Sequence, residues 1–155
     1  MALSFNFVTI LGGGKLALSE RPKVKDIKKL NVVECDRVVT ILGPKGEQAH
    51  KIGAEVESCG MAWDWVKVTN ANKITDQEKM LFRKSVQVVY DAILSGENVI
   101  VHCSAGLHRT GMFAFAILRK GNIERNDALA IIEEIRQKTF EALEEKYLLL
   151  AEDLH

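Results

Sequence analysis

Apolar and polar positions alternate over residues 5–10 and break at Gly12, Gly13 and Gly14, and a second short apolar run occupies residues 15–19. A period of two interrupted by glycines predicts a hairpin-like edge. Pro22 suits the start of a short, cationic, amphipathic helix over residues 24–30. The β-branched run at 37–42 ends in Gly43-Pro44-Lys45-Gly46, which reads as a strand and a loop. Residues 47–58 place Ala49, Ile52 and Val56 on one helical face, and 61–68 read as another strand. Thr75 and Glu78 have the spacing of a capping box, and Leu81, Ser85, Val88, Val89, Ala92 and Ile93 follow at helical spacing. Gly96 stops that helix and residues 98–102 form a short buried strand. After a polar loop, residues 112–118 are apolar enough for a central buried helix. Two amphipathic helices complete the chain, one carrying Ala128, Ile131, Ile132 and Ile135, the other Phe140, Leu143, Tyr147, Leu150 and Leu154.

Strands alternating with helices predict an α/β fold, a short central mostly parallel sheet flanked by helices on both faces. No repeat or linker interrupts residues 1–155, so the length of 155 fits one domain with a core of its own. Lys+Arg and Asp+Glu are equal at 21 each, which gives no global field for nucleic acid or an anionic membrane. The three cysteines, Cys35, Cys59 and Cys103, are too few and too scattered for a disulfide framework or a zinc site. Residues 1–14 lack a basic leader and carry Asn6 within the apolar run, so they do not read as a signal peptide. No apolar run has membrane-spanning length. A cytoplasmic, monomeric chain is expected.

The stretch from Val101 to Gly111 carries the chemistry. It lies between a buried strand and an apolar helix, where open α/β sheets bind ligands and a helix N-terminus favours an anion. Successive backbone N–H groups make an anion-binding nest, Gly106 permits the turn, and Arg109 offers a planar fork for two phosphate oxygens. Cys103 stands at the head of this loop. The thiolate is the reactive form of cysteine, and a helix N-terminus beside a guanidinium favours it. Attack on phosphorus would give a cysteinyl-phosphate that water hydrolyses, with the Thr110 hydroxyl easing departure of the sulfur. The bland alternative for each cysteine is a small buried hydrophobe, which suits Cys35 and Cys59. His102 reads as structural, orienting the loop by a hydrogen bond, and His108 as a residue at the pocket rim. Trp63 and Trp65 read as packing.

Cys103 to Arg109, with His102 before and Thr110-Gly111 after, resembles the signature of the cysteine-dependent protein tyrosine and dual-specificity phosphatases, the small dual-specificity type in particular. The resemblance implies Cys103 as nucleophile, Arg109 as phosphate clamp and Thr110 as the hydroxyl assisting thiolate release. It implies that the loop from Ser104 through Ala105, Gly106, Leu107 and His108 to Arg109 cradles the phosphate. The substrate implied is a phosphorylated protein (phosphotyrosine or dual-specificity) or a small phosphate ester, without metal or organic cofactor.

The sequence departs from the family at the general acid, normally an Asp on a loop upstream of the nucleophile. Aligned on the capping box, that loop is residues 68–74, which contain no carboxylate; Asn70, or Asn72 as the alternative, stands where the Asp is expected. Asp64 lies six residues upstream on a strand, roughly 20 Å away at ~3.3 Å per residue. Asp76 is nearer, as a possible acid or as a charge at a helix N-terminus, and His108 is a third candidate. Loss of an acid is worth ~10²–10⁴ in rate and hurts poor leaving groups most. Two other functions stay open: a phosphatase-fold module that binds phosphorylated partners with feeble turnover, and a phosphatase of a non-protein phosphate or anhydride such as an RNA 5′-triphosphate. Redox control is a further possibility, with Cys35 or Cys59 trapping oxidised Cys103.

Overall fold

The structure, a computed structural model, describes residues 3–46 and 48–155. Five strands, β1 (Val8–Thr9), β2 (Lys15–Ser19), β3 (Arg37–Ile41), β4 (Ala62–Val66) and β5 (Val99–His102), form one sheet in the order β1-β2-β5-β3-β4. β1 runs antiparallel to β2, and every other pairing is parallel. The helices are α1 (Ile27–Val32), α2 (Ala49–Ser58), α3 (Asp76–Leu94), α4 (His108–Lys120), α5 (Arg125–Ile135), α6 (Gln137–Ala142) and α7 (Glu145–Glu152), with a 3₁₀ turn at Val24–Asp26.

Side chains alternate across the pleat, so each parallel strand feeds two cores. Leu16, Leu18, Val39, Ile41, Val99 and Val101 face α3, α4, α5 and α7. Ala17, Val38 and Ile100 face the other way, with Ile27, Leu30, Ile52 and Val56 from α1 and α2. α4 is buried from Thr110 to Leu118, as expected of a helix apolar on every side. Among the described residues, no helix is long and apolar enough to cross a membrane.

Three elements differ from the sequence expectation. In the edge strand read over 5–10, only Val8 and Thr9 join the ladder; Phe5 and Phe7 pack edge-to-face at 5.5 Å against the α1–α2 side. α4 begins at His108, four residues before its apolar run, because the polar end of the loop is already the first helical turn. The last predicted helix breaks in two at Leu143, which is extended and packs over Gly111, where a Cβ would lie 2.7 Å from the leucine Cδ2. The capping box is present: the Thr75 hydroxyl accepts from the Glu78 N–H at 3.1 Å and the Glu78 carboxylate from the Thr75 N–H at 3.0 Å.

Cys35 lies in the α1–α2 core, 3% exposed. Burial pushes its thiol up from 9.0 to about 11, aided by the Asp36 charge and opposed by backbone hydrogen bonding from Arg37. The unfolded chain ionises this thiol at lower pH than the folded one. The contribution to stability is therefore whole below about pH 9 and is lost as pH rises through about 11. Between pH 8 and pH 10.5 the wild type should lose stability relative to Cys35→Ala by about 2 kcal/mol, read from urea midpoints.

Candidate phosphate-binding site

Parallel strands deliver their carboxyl ends to one edge of the sheet, where the loops after β2, β5, β3 and β4 meet. The loop after β5 runs from Cys103 to Leu107 and passes directly into α4. Gly106 has φ +72°, and a Cβ there would lie 2.3 Å from the Ser19 carbonyl oxygen, so the loop rests on the end of β2 through a position open only to glycine.

The carbonyls of this loop are tied to neighbouring elements. Ser104 O accepts from the Arg21 N–H at 2.9 Å. Ala105 O and Gly106 O accept from Arg136 Nη1 at 3.3 and 2.8 Å, and Gly106 O also accepts from the Thr139 hydroxyl at 2.6 Å. In a trans peptide the N–H points opposite to its C=O, and the described residues contain no cis bond. The N–H groups of Ala105, Gly106 and Leu107 are thus turned away from these partners. The first intrahelical bond of α4 is Gly111 N–H to Leu107 O, 2.8 Å, so the amides before it are unclaimed by the helix. The result is a row of backbone donors ending at a positive helix terminus.

Thr139 is fully buried, accepts from Arg136 Nη1 at 3.2 Å and gives its proton to the loop. Thr139→Val keeps the shape and removes that donor, which should cost about 1–2 kcal/mol. A melting temperature lower by about 3–6 °C is the expected result.

Cys103 is 3% exposed and lines a pocket of about 240 Å³ together with Ser104, Ala105, Leu107, His108 and Arg109 on one side. Thr69, Asn70, Ala71 and Asn72, from the segment after β4, form the facing wall. Arg109 Nη1 donates to the Val68 carbonyl at 2.9 Å, which holds the guanidinium toward that wall. The Thr110 hydroxyl is buried and, among the described residues, is the one such side-chain atom without a hydrogen-bond partner. Such an atom costs ~1–3 kcal/mol to bury, and its position therefore calls for an explanation.

Beneath Cys103 a buried chain of hydrogen bonds crosses three strands. Trp63 Nε1 donates to the Thr40 hydroxyl at 2.8 Å, Thr40 lies 2.7 Å from His102 Nε2, and His102 Nδ1 lies 3.0 Å from the Cys103 carbonyl. A carbonyl only accepts, so Nδ1 carries the ring proton and Nε2 accepts from Thr40. His102 thereby orients the start of the loop, as its sequence position suggested. Trp63 and Trp65 stack at 5.6 Å and pack against the α1–α2 core.

The facing wall is built from amides. Asn70 Oδ1 accepts from the Asn72 N–H at 2.8 Å, and Asn72 Oδ1 accepts from the Tyr147 hydroxyl at 3.2 Å. The His108 ring stacks on Tyr147, with centroids 4.4 Å apart and planes 16° from parallel. Among the described residues, no carboxylate lines the pocket. Asp64 is held on β4 in an ion pair with Arg37 at 2.7 Å. Asp76 is exposed in the first turn of α3, outside the pocket lining. Arg136, Thr139 and Tyr147 carried no functional signal in the sequence; Tyr147 read as part of the apolar face of the last helix.

Cys35 and Cys59 lie at the opposite edge of the sheet from Cys103. Cys35 precedes Arg37, which pairs with Val99, and Cys59 closes α2 just before β4. Cys103 is four residues beyond Val99, about 13 Å along the strand, whereas a disulfide needs Cα atoms within ~7 Å. Trapping of oxidised Cys103 as an internal disulfide, the redox control considered from the sequence, does not fit this fold.

A strand, a loop with outward carbonyls and a helix N-terminus in this order make an anion-binding site at the carboxyl end of the sheet. The family model "Dual specificity phosphatase, catalytic domain" matches residues 23–151, and the chain belongs to that family. No curated protein matches the sequence. Among solved structures, kinase associated phosphatase (KAP), with its catalytic-site cysteine replaced by serine, has a TM-score of 0.76 at 13% identity, over 100% of this chain and 93% of that one. The core catalytic domain of the PP-IP phosphatase SIW14 from S. cerevisiae has a TM-score of 0.69 at 16% identity, over 100% and 88%. PTPMT1 has 0.71 at 20%, over 90% and 88%. At these identities the likeness establishes the fold.

Proposed function

We propose that this chain hydrolyses phosphate monoesters through a cysteinyl-phosphate on Cys103, with phosphotyrosine or dual-specificity protein substrates. The observation that carries the reading is the placement of the Cys103 thiol in a pocket whose Ser104, Ala105 and Gly106 carbonyls are tied outward, leaving the amides that follow them for an oxyanion. The Cys103 sulfur forms a bond to phosphorus as the ester P–O bond breaks, and the leaving oxygen takes a proton. Water then forms a new P–O bond, the S–P bond breaks, and inorganic phosphate and the thiolate result. Arg109 and the amides from Ser104 to Arg109 bear the charge on the three phosphoryl oxygens in both steps. The unpartnered Thr110 hydroxyl is available to the departing sulfur. Beside the loop, a depression of about 410 Å³ is lined by Arg21, Lys23 and Lys51, a cationic flank suited to an acidic stretch of phosphoprotein.

One observation favours a second reading: the carboxylate-free wall suits a module that holds phosphorylated partners without turning them over. Phosphate release from a phosphotyrosine peptide separates the two. Turnover supports the enzyme. A folded chain that binds the peptide and releases no phosphate is the binding module.

A further inference from the structure

The geometry points to His108 as the catalytic acid that protonates the leaving oxygen, a role that rests on the cysteinyl-phosphate reading of Cys103. Among the described residues, the pocket lining holds three ionisable side chains: Cys103, Arg109 and His108. Cys103 is spent on phosphorus and a guanidinium keeps its proton, so imidazole is the group left to carry one. The wall opposite the loop offers Thr69, Asn70, Ala71 and Asn72; an amide cannot give up a proton, and Asn70 Oδ1 is engaged with the Asn72 N–H.

His108 is also held in place. It stands in the first turn of α4, next to Arg109, on the same rigid element as the phosphate cradle. Its ring lies face to face with that of Tyr147, which is 3% exposed and anchored through its hydroxyl to Asn72 on the other wall. Lys146 Nζ lies 5.0 Å from the centre of the same tyrosine ring. The stack sets the plane of the imidazole. The ester oxygen departs from the side of phosphorus opposite the attacking sulfur, away from the buried Cys103.

The proton account closes over the cycle. Imidazolium gives its proton to the leaving oxygen as the P–O bond breaks. Neutral imidazole then takes a proton from the water that attacks phosphorus, which restores the imidazolium as the S–P bond breaks. The same group serves both steps, as microscopic reversal of proton transfer requires.

The test uses kcat/KM, which reports steps through phosphoryl transfer to the enzyme, for two esters differing in leaving group, p-nitrophenyl phosphate and phenyl phosphate. With His108→Asn, the loss on phenyl phosphate should exceed the loss on p-nitrophenyl phosphate by about 10²-fold, because only the poorer leaving group needs the proton. Equal losses on the two esters overturn the assignment. His108→Gln repeats the comparison should the asparagine variant fold poorly, and inhibition by vanadate checks that the cradle is intact. The wild type alone gives an independent reading: a shallow fall of kcat/KM with leaving-group pKa is expected, and a steep one contradicts a proton donor. Cys103→Ser is run beside these. If it retains turnover, or the wild type has none, the cysteinyl-phosphate reading itself fails and His108 loses its role with it. If turnover needs Cys103 but the two losses are equal, the failure belongs to His108 alone.

Discussion

Cys103→Ser should lower turnover of p-nitrophenyl phosphate by at least about 10⁴-fold while inorganic phosphate continues to bind. The substitution changes one atom at a site that is 3% exposed, so the loop, its outward carbonyl bonds and the Arg109 guanidinium keep their places. What is lost is the proposed nucleophile. A serine hydroxyl holds its proton, His108 is the one base among the described lining residues, and the proposed mechanism uses that imidazole protonated at the leaving oxygen. Binding and chemistry therefore separate. Turnover is followed by colour release and binding by protection against thermal unfolding at millimolar phosphate. A drop in both would mean that the serine had disturbed the cradle.

Gly106→Ala is the second large effect, and it acts on the fold as well as the site. The added Cβ would meet Ser19 O at 2.3 Å and its carbonyl carbon at 2.5 Å, and Ser19 is held in register opposite His102. Neither backbone can retreat without breaking the β2–β5 pairing. The left-handed conformation at φ +72° adds ~1–2 kcal/mol to an overpacking cost of ~1–3 kcal/mol, so a loss of about 3 kcal/mol is expected. Gly60 is the control, since it has φ +81° and a Cβ there would meet nothing within 4 Å, and Gly60→Ala should cost about 1 kcal/mol from conformation alone. Urea unfolding of both variants checks the difference. Phosphate binding should vanish in Gly106→Ala and survive in Gly60→Ala.

Much of the fold was legible because its signals are local. The β-branched run of β3, the capping box of α3 and the unbroken apolar stretch of α4 each specify an element within a few residues. Cys103, Gly106, Arg109 and Thr110 were legible for the same reason, since one short loop carries them. The supports of that loop were not. Arg136 and Thr139 reach Gly106 O from about thirty residues away, and only the break between α5 and α6 swings them there. Likewise Tyr147 has the spacing of a core residue, and nothing local says that its ring lies under His108 and its hydroxyl on Asn72. The split of the last helix at Leu143 was hidden too, because its cause is the contact with Gly111 on another helix. The missing carboxylate was readable as an absence at Asn70 and His108 as one of the candidates to replace it, but the stack of His108 on Tyr147 became evident only once α7 was in place.

Capture of the covalent intermediate tests the role of Cys103 most directly. Turnover of p-nitrophenyl phosphate is quenched rapidly in alkaline denaturant, the chain is cleaved, and the peptide that joins β5 to α4 is weighed. One phosphoryl group on Cys103 in the wild type, absent from Cys103→Ser, is the expected result. Active protein with no phosphoryl group on that peptide, or with one on a different residue, would contradict it.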